Sequence, residues 1–312
     1  VRRKAAIAGL RKTLGLVEGR PSTQLFERRT RLFLVDNERG KRIAIRVGDK
    51  TFELERSFED GHFFGTVRLD AQMAAQGAVD GQVRFSAITD PDDKRLFQGA
   101  IHLIPPTGIS VISDIDDTIK VTGVTDRNKL VENTFFLPFR AVDGMAKLYR
   151  RWADAGAKFH FVSAGPWQLY EPLAEFASEA GFPSATFHLR RVRLKDSTAL
   201  SLLADPLEYK LSVIEPLMVD FPQRRFILVG DSGERDPEVY AAVAAKHPDQ
   251  MLRIYIRDVT GDAADAPRYK KGFASLPRDK WRLFRDANEI REDLKLDAGA
   301  KSPSRGPRKL QP

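Results

Sequence analysis

The segment Ile109-Ser-Val-Ile-Ser-Asp114-Ile-Asp116-Asp117-Thr118 decides the fold. Its apolar first half has the length of a buried strand, and carboxylates follow directly. After Thr107, further runs of this kind alternate with helical patterns, which is typical of an α/β domain with a doubly wound parallel sheet. We predict strands at residues 109–114, 158–162, 186–189, 225–229 and 252–256. In such sheets ligands bind at the carboxyl ends of the strands.

Helices are predicted between these strands. They span residues 144–156 and 167–180, and two more begin at Asp205-Pro206 and Asp236-Pro237. An Asp followed by Pro is a favourable helix start, because Asp caps the first N–H groups and Pro fits the first turn.

Polar residues stand at the ends of two further strands. Ser163-Ala164-Gly165-Pro166 follows the second strand, and the fourth leads into Gly230-Asp231-Ser232-Gly233-Glu234-Arg235-Asp236. Lys210 lies in the helix before the fourth strand. Since carboxylates that close apolar strands have little structural use, these segments are the candidate site.

The chain before Thr107 has a different pattern. From about Thr23 to Pro106, short apolar runs with a period of two are separated by turn sequences such as Gly48-Asp49-Lys50. This predicts a small antiparallel sandwich or barrel. We divide the chain into a basic arm (1–22), a β-sandwich-like domain (23–106), an α/β domain (107–297) and a disordered basic tail (298–312).

The net charge of +8 comes from the ends of the chain. Residues 1–31 carry +7 and residues 298–312 carry +4, so the body carries −3. Because the body carries no excess positive charge, the net charge of the chain does not indicate that the body binds nucleic acid. Nucleic acid stays an alternative partner.

The sequence has no cysteine, which excludes disulfides, thiol catalysis and thiolate metal sites. It also has no apolar run of the ~18–20 residues that a membrane span needs. We expect a cytoplasmic protein that has no transmembrane segment. Peripheral attachment to the inner membrane face is compatible with this expectation.

The segments at residues 114–118, 163–166, 210 and 230–236, in this order, resemble the haloacid-dehalogenase-like phosphohydrolase superfamily. Its motifs are Asp-x-Asp-x-Thr, a Ser or Thr, a Lys, and a Gly-Asp with a second acid nearby. Residues 107–261 also resemble the catalytic domain of the phosphatidate phosphatase family first noted in yeast actin patches.

The resemblance implies a Mg²⁺-dependent phosphomonoester hydrolase. Asp114 would be the nucleophile that forms an aspartyl-phosphate, and Asp116 the general acid and then the general base. Mg²⁺ would be bound by the Asp114 carboxylate, the Asp116 backbone carbonyl and Asp231, with Asp236 as a further ligand or a support for Lys210. The residues that would hold the phosphoryl oxygens are Thr118, Ser163, Ala164 and Lys210.

Several residues also have purely structural interpretations. Asp236 precedes Pro237 and suits a helix N-cap, and Asp117 is expected to be a solvated neighbour of the site. His160 and His188 lie within strands and show no metal-ligand spacing, so they are expected to be core or hydrogen-bonded residues. The aromatic run at 135–139 is expected to pack as a flap on the core, with contact to acyl chains as the alternative. The basic run at 190–195 is either a solvated face or an edge of the site.

The motif intervals leave no room for a globular cap, so the superfamily resemblance implies an open, capless site that admits large substrates. We expect phosphatidate or a related lipid phosphate, presented by a phospholipid or anionic membrane surface. Two alternatives stay open. One is a phosphatase for another bulky substrate, such as nucleic-acid ends or a phosphoprotein. The other is a binding module whose phosphatase domain is vestigial.

Overall fold

The computed structural model describes residues 23–31, 33–34, 38–191 and 205–293. These residues separate into two compact units. Within the described part, the first unit contains residues 30–105, and the second contains residues 23–29, 106–191 and 205–293. The predicted basic arm and basic tail lie outside the described residues.

An antiparallel sheet forms the first unit, in agreement with the predicted β domain. Its strands are β1 (Ala44–Val47), β2 (Lys50–Glu53), β3 (Ala78–Val79), β4 (Gln82–Ile88) and β5 (Gln98–His102). β4 pairs with β1, β3 and β5. Gly48 and Asp49 form the predicted turn between β1 and β2, where Gly48 has a φ of +59°.

Two short helices replace predicted period-two structure before Pro106. Helix α1 (Gln24–Arg31) begins after Thr23, whose hydroxyl accepts a hydrogen bond from the Phe26 N–H. Helix α2 (Ala71–Gly77) begins after Asp70, whose carboxylate caps the Met73 N–H. The period of two noted in the sequence does not extend to these two segments, because local capping satisfies the first N–H groups of each helix.

The second unit contains a parallel six-stranded sheet, which confirms the predicted α/β class. Its strands are β6 (Gly108–Ser113), β7 (Lys158–Pro166), β8 (Ala185–Arg190), β9 (Arg224–Asp231), β10 (Met251–Arg257) and β11 (Trp281–Phe284). The spatial order is β11-β10-β9-β6-β7-β8, so the chain reverses direction across the sheet between β6 and β9. Ligands bind at such a switch point, outside the carboxyl ends of the strands.

In the described residues, six α-helices connect or follow these strands. They are α3 (Arg127–Phe135), α4 (Met145–Asp154), α5 (Tyr170–Glu179), α6 (Pro206–Asp220), α7 (Asp236–Lys246) and α8 (Pro267–Gly272). The apolar runs Phe226–Val229 in β9 and Ile254–Ile256 in β10 are buried on both faces of the sheet. Within the described residues, no helix is both long and apolar enough to cross a membrane.

The flap is the segment 136–142 after α3. Phe136 is 6% exposed and stacks on Phe26 with 4.7 Å between ring centroids. The flap also pairs with the chain beyond Asp116, since the Val142 N–H donates to the Ile119 carbonyl. The predicted packing of the aromatic run on the core is therefore confirmed for Phe136, whereas Leu137 is 42% exposed.

The two strand histidines belong to a polar row that crosses the sheet. His160 lies 3.2 Å from the Ser110 hydroxyl and 2.8 Å from the Thr186 hydroxyl, which in turn lies 3.0 Å from His188. Burial lowers the pKa of His188 to about 4, so this ring is neutral near pH 7. Both histidines are hydrogen-bonded sheet residues, as the sequence predicted.

Candidate active site

A buried ammonium group stands at the centre of the candidate site. Nζ of Lys210 lies 2.8 Å from Asp114, 3.0 Å from Glu234 and 2.5 Å from Asp236, measured to a carboxylate oxygen of each. Lys210 and Asp236 are fully buried, and Asp114 is 1% exposed. An ammonium group has three N–H donors, and all three therefore point at carboxylates.

The parallel sheet brings these distant residues together. Asp114 directly follows β6, and its N–H donates to the Val229 carbonyl of β9 at 2.8 Å. Asp236 is the first residue of α7, and Lys210 lies in α6, the helix that precedes β9. The cluster thus forms at the carboxyl edge of the sheet, between β6 and β9, as the topology requires.

Asp231, the last residue of β9, adds a third buried aspartate. Its Oδ1 atom accepts from the N–H groups of Gly233 and Glu234, at 2.6 Å and 3.2 Å. Oδ2 of Asp231 and Oδ2 of Asp114 are buried, and neither has a hydrogen-bond partner within the described part of the chain. Such orphaned acceptors are rare in protein interiors and need an explanation.

The orphaned oxygens fit a hard divalent cation. One carboxylate oxygen from each of Asp114, Asp231 and Asp236 can be chosen so that all three lie within 4.8 Å of one another. Carboxylate oxygens are the ligands that Mg²⁺ and Ca²⁺ prefer. Asp236 already uses both oxygens, one on Lys210 and one on the Asp231 N–H. The oxygens available to a metal are therefore those of Asp114 and Asp231.

The charge balance of the cluster favours the same conclusion. Burial raises the pKa of Asp114 well above its usual range, and the nearby charges of Asp236, Glu234 and Asp231 add to this. Burial alone would lower the pKa of Lys210, but its carboxylate neighbours outweigh burial and raise that pKa. Four carboxyl groups share one ammonium, so a bound cation would supply the positive charge that the cluster lacks.

Asp116 belongs to a second, adjoining group of side chains. Its Oδ2 atom accepts from the Ser163 hydroxyl at 3.1 Å, and its Oδ1 atom lies 2.8 Å from Nζ of Lys120. The Thr122 hydroxyl also donates to Oδ1, at 2.8 Å. Burial would raise the pKa of Asp116, but the Lys120 charge and these hydrogen bonds outweigh it and lower the pKa. Asp116 is 21% exposed, so it faces both the protein and the solvent.

A strand irregularity follows Ser163 and separates it from Pro166, the last residue of β7. In the pairing of β7 with β8, Ser163 is opposite Leu189 and Pro166 is opposite Arg190. Ala164 and the next residue therefore have no opposite residue, as in a β-bulge, which releases the backbone near a site. The Gly165 N–H donates to the Ser163 hydroxyl at 3.0 Å.

Thr118, the last residue of the first motif, is fully buried. Its hydroxyl has no hydrogen-bond partner within the described residues. The structure thus brings Asp114, Lys210, Asp231 and Asp236 into one cluster and places Asp116 with Ser163 beside it.

Two structural interpretations from the sequence were wrong. Asp236 makes no capping hydrogen bond to α7, because its carboxylate is taken by Lys210 and by the Asp231 N–H. Asp117 is only 6% exposed rather than solvated. It has a φ of +52°, and its carboxylate accepts from the N–H groups of Thr122, Gly123 and Val124, which closes the turn after the first motif.

Lys120 is the main residue that the sequence reasoning missed. It is 2% exposed, and besides Asp116 it contacts the flap, since Nζ lies 5.0 Å from the centroid of the Phe139 ring. The guanidinium of Arg29 lies 3.7 Å from the centroid of the same ring. Arg29 also donates to the Thr134 and Leu137 carbonyls, at 2.7 Å and 2.8 Å. A row of contacts therefore runs from α1 through the flap to Asp116.

Two further arginines hold the loops of the site. Arg257, at the end of β10, donates to the Asp117 carbonyl at 2.6 Å. Arg268, in α8, donates to the Ser232 and Glu234 carbonyls at 2.6 Å and 2.9 Å. Because each bond fixes a backbone carbonyl, these side chains orient the loops of the site. Arg268 also contacts the Glu238 carboxylate at 3.0 Å, which is not part of the Lys210 cluster.

Comparisons with known proteins agree with this geometry. Residues 109–258 match the family model described as "Phosphatidate phosphatase APP1, catalytic domain". The resemblance inferred from the motifs is therefore confirmed, and the matched segment contains Asp114, Asp116, Ser163, Lys210 and Asp231.

Two curated fungal proteins are similar to about half of the chain. The phosphatidate phosphatase APP1 of Saccharomyces cerevisiae is 36% identical over 172 residues, which cover 54% of this chain and 29% of that protein. An uncharacterized protein of Schizosaccharomyces pombe is 31% identical over 172 residues, covering 54% of this chain and 28% of its own length. The chain thus spans less than a third of each relative.

Gly230 leads to a prediction about the cluster. A Cβ atom at this position would lie 2.6 Å from Cγ of Asp236, so the Asp236 carboxylate would have to move away from Lys210. We predict that Gly230→Ala lowers the free energy of unfolding by about 1–3 kcal/mol, the usual cost of an overpacked core. The measurement is the midpoint of urea unfolding.

Gly272→Ala is the matched control for Gly230→Ala. There the added Cβ atom meets the Ala241 Cβ atom at 3.4 Å, an ordinary contact. Equal unfolding midpoints for the two variants would contradict the close packing of Asp236 against Gly230.

Proposed function

We propose that this protein is a Mg²⁺-dependent phosphomonoester hydrolase that forms an aspartyl-phosphate on Asp114, with phosphatidate or a related lipid phosphate as its substrate. The observation that carries the proposal is the position of Asp114. Lys210 holds one carboxylate oxygen at 2.8 Å, and the other is buried without a partner in the described chain. A carboxylate fixed in this way is oriented for bonding to a group that the chain does not supply. The activity in the name of the yeast relative supports the reaction and substrate class.

The reaction has two steps at phosphorus. In the first, an Asp114 oxygen forms a bond to phosphorus, and the bond from phosphorus to the ester oxygen breaks. Asp116 is ionised in the free protein because Lys120 and its hydrogen bonds lower its pKa, so it must take up a proton before this step and then gives that proton to the ester oxygen. In the second, Asp116 takes a proton from water while the water oxygen attacks phosphorus. The bond from phosphorus to Asp114 then breaks, and inorganic phosphate leaves.

The remaining site residues hold the phosphoryl group. Lys210 can give one N–H to a phosphoryl oxygen in place of Glu234, whose side chain is 23% exposed. The Ser163 hydroxyl, the backbone at Ala164 and the Thr118 hydroxyl are the further donors that we assign to this group. Donors fixed before the reaction stabilise the charge that moves between the phosphoryl oxygens.

The metal site of the proposal uses the orphaned oxygens. Asp114 and Asp231 would hold Mg²⁺ together with the Asp116 backbone carbonyl. When bound, the ion stabilises negative charge on the phosphoryl group. Asp236 supports Lys210 in this scheme, because both of its oxygens already accept hydrogen bonds.

The place of the reaction follows from the substrate class. We propose that the protein attaches peripherally to an anionic membrane at its inner face, where its substrate resides. Residues 1–31 and 298–312 carry +7 and +4, so both ends favour such a surface.

Asp114→Asn tests the nucleophile. We predict that wild-type protein releases phosphate from p-nitrophenyl phosphate only when Mg²⁺ is present, and that Asp114→Asn loses at least about 10³-fold in kcat, because an amide does not attack phosphorus. Asp249→Asn, an exposed aspartate far from the cluster in the chain, is the control and should keep wild-type activity. Activity of Asp114→Asn within tenfold of wild type would contradict the assignment.

A substrate comparison tests the lipid assignment. Wild-type protein is given phosphatidate in phosphatidylcholine vesicles, a 5′-phosphorylated oligonucleotide and a phosphoserine peptide, each with Mg²⁺. The proposal predicts the highest kcat/KM for phosphatidate, measured as release of inorganic phosphate. A higher kcat/KM for the oligonucleotide or the peptide would favour the alternative of a phosphatase for another bulky substrate. If phosphate is released neither from these three substrates nor from p-nitrophenyl phosphate, the result would favour a binding module.

A further inference from the structure

Exposed apolar side chains are few in the described part of the second unit. The large ones are Leu137, Trp167, Tyr170 and Val219, which are 42%, 37%, 39% and 66% exposed. Leu137 lies in the flap, and Trp167 and Tyr170 follow the Ser163 segment, so these three residues lie on segments that border the candidate site. Val219 lies near the end of α6, just before β9 begins, and so at the opposite edge of the sheet.

The two exposed aromatic side chains form a fixed pair. The rings of Trp167 and Tyr170 are stacked, with 5.1 Å between their centroids and 4° between their planes. Tyr170 also meets the Phe187 ring edge-on at 5.5 Å, which anchors the pair to β8. Trp167 follows Pro166, the last residue of β7, and is only four residues beyond Ser163. The pair therefore stands at the edge of the phosphate-binding segment.

Two arginines stand beside this aromatic pair. Arg190, the last residue of β8, is opposite Pro166 in the strand pairing, and Arg191 follows it and is exposed. The Arg190 guanidinium lies 5.2 Å from the centroid of the Tyr209 ring, and Tyr209 is the neighbour of Lys210 in the chain. The Arg190 side chain also donates to the Asp205 carbonyl at 3.0 Å, so positive charge lies at the end of β8, beside the residue that precedes Lys210.

We infer that Leu137, Trp167, Tyr170, Arg190 and Arg191 form a docking surface for a bilayer that contains phosphatidate; we call it the rim surface. This inference rests on the proposed function and names the residues through which the membrane is met. Trp and Tyr favour the boundary between water and acyl chains, and a leucine enters the apolar layer. Arginines match the charge of a phosphate headgroup.

The composition of the rim surface favours a bilayer over a nucleic acid. One face of each exposed ring is covered by the other ring, and Tyr170 is further contacted by Phe187, so little aromatic face is left for bases. Leu137 offers a base no aromatic face at all, whereas it can be buried among acyl chains. A dissolved phosphomonoester would need none of these side chains.

The test compares one substrate in two physical states. Wild-type protein, the double variant Trp167→Ala/Tyr170→Ala and the control Val219→Ala are assayed on phosphatidate in phosphatidylcholine vesicles and on short-chain phosphatidate dissolved as monomers. We expect the double variant to lose roughly ten- to a hundredfold in kcat/KM on vesicles, the factor that burial of large apolar side chains gives to a binding constant. It should keep wild-type kcat/KM on the monomer, and Val219→Ala should match wild type on both.

Other outcomes would overturn the inference. Equal losses on both forms of phosphatidate would mean that the pair only supports the Ser163 segment, and no loss on either would mean that the rim surface does not meet the bilayer. A selective loss on a 5′-phosphorylated oligonucleotide would make it a base-stacking surface.

The inference can fail or survive independently of the proposed substrate. If wild-type protein hydrolyses neither form of phosphatidate, the proposed substrate is wrong. Sedimentation with the same vesicles then decides the docking question. Weaker binding of the double variant than of wild type and Val219→Ala would support the rim surface, and equal binding would refute it.

Discussion

The site depends on one buried ammonium group surrounded by carboxylates. Lys210 is fully buried and contacts Asp114, Glu234 and Asp236 with its three N–H groups. Removing the ammonium from such a cluster would leave several buried carboxylates without compensation, which is strongly destabilising. The ends of β6 and β9 and the start of α7 are therefore held together by charge as well as by the backbone of the sheet. The same cluster leaves one oxygen each on Asp114 and Asp231 for a cation.

The contacts of Asp116 extend the site beyond the segment that matches the family. Asp116 contacts Lys120, Lys120 faces the Phe139 ring, and Arg29 covers that ring from α1. Arg29 is 4% exposed, and burial followed by the charge of Arg28 lowers its pKa to about 10, still far above neutral pH. A permanently charged side chain from outside residues 109–258 thus holds the flap that borders the acid. The position of Asp116 therefore depends on the flap and on α1 as well as on its own motif.

The sequence was sufficient to predict which residues would meet and insufficient to predict what several of them contact. Strand ends of a parallel sheet share one edge, so the convergence of Asp114 and Asp231 followed from the topology, whereas the place of Lys210 was implied by the family resemblance. The burial of Lys120 and the role of Glu234 did not, because a charged residue near a site is normally solvated unless tertiary structure supplies its partner. The burial of Asp117 was not predicted for a related reason, because its φ of +52° and its hydrogen bonds from three backbone N–H groups arise only when the turn closes. Helix α1 was missed because its cap is a single hydroxyl within a period-two pattern.

The central claim is that Asp114 becomes covalently phosphorylated. The most direct measurement is a rapid acid quench of wild-type protein during turnover of phosphatidate with Mg²⁺, followed by peptide mass spectrometry to locate the phosphoryl group. The account predicts a phosphoryl group on Asp114, absent without Mg²⁺ and absent in Asp114→Asn. A phosphoryl group on another residue, or release of product with no labelled peptide at any quench time, would contradict it.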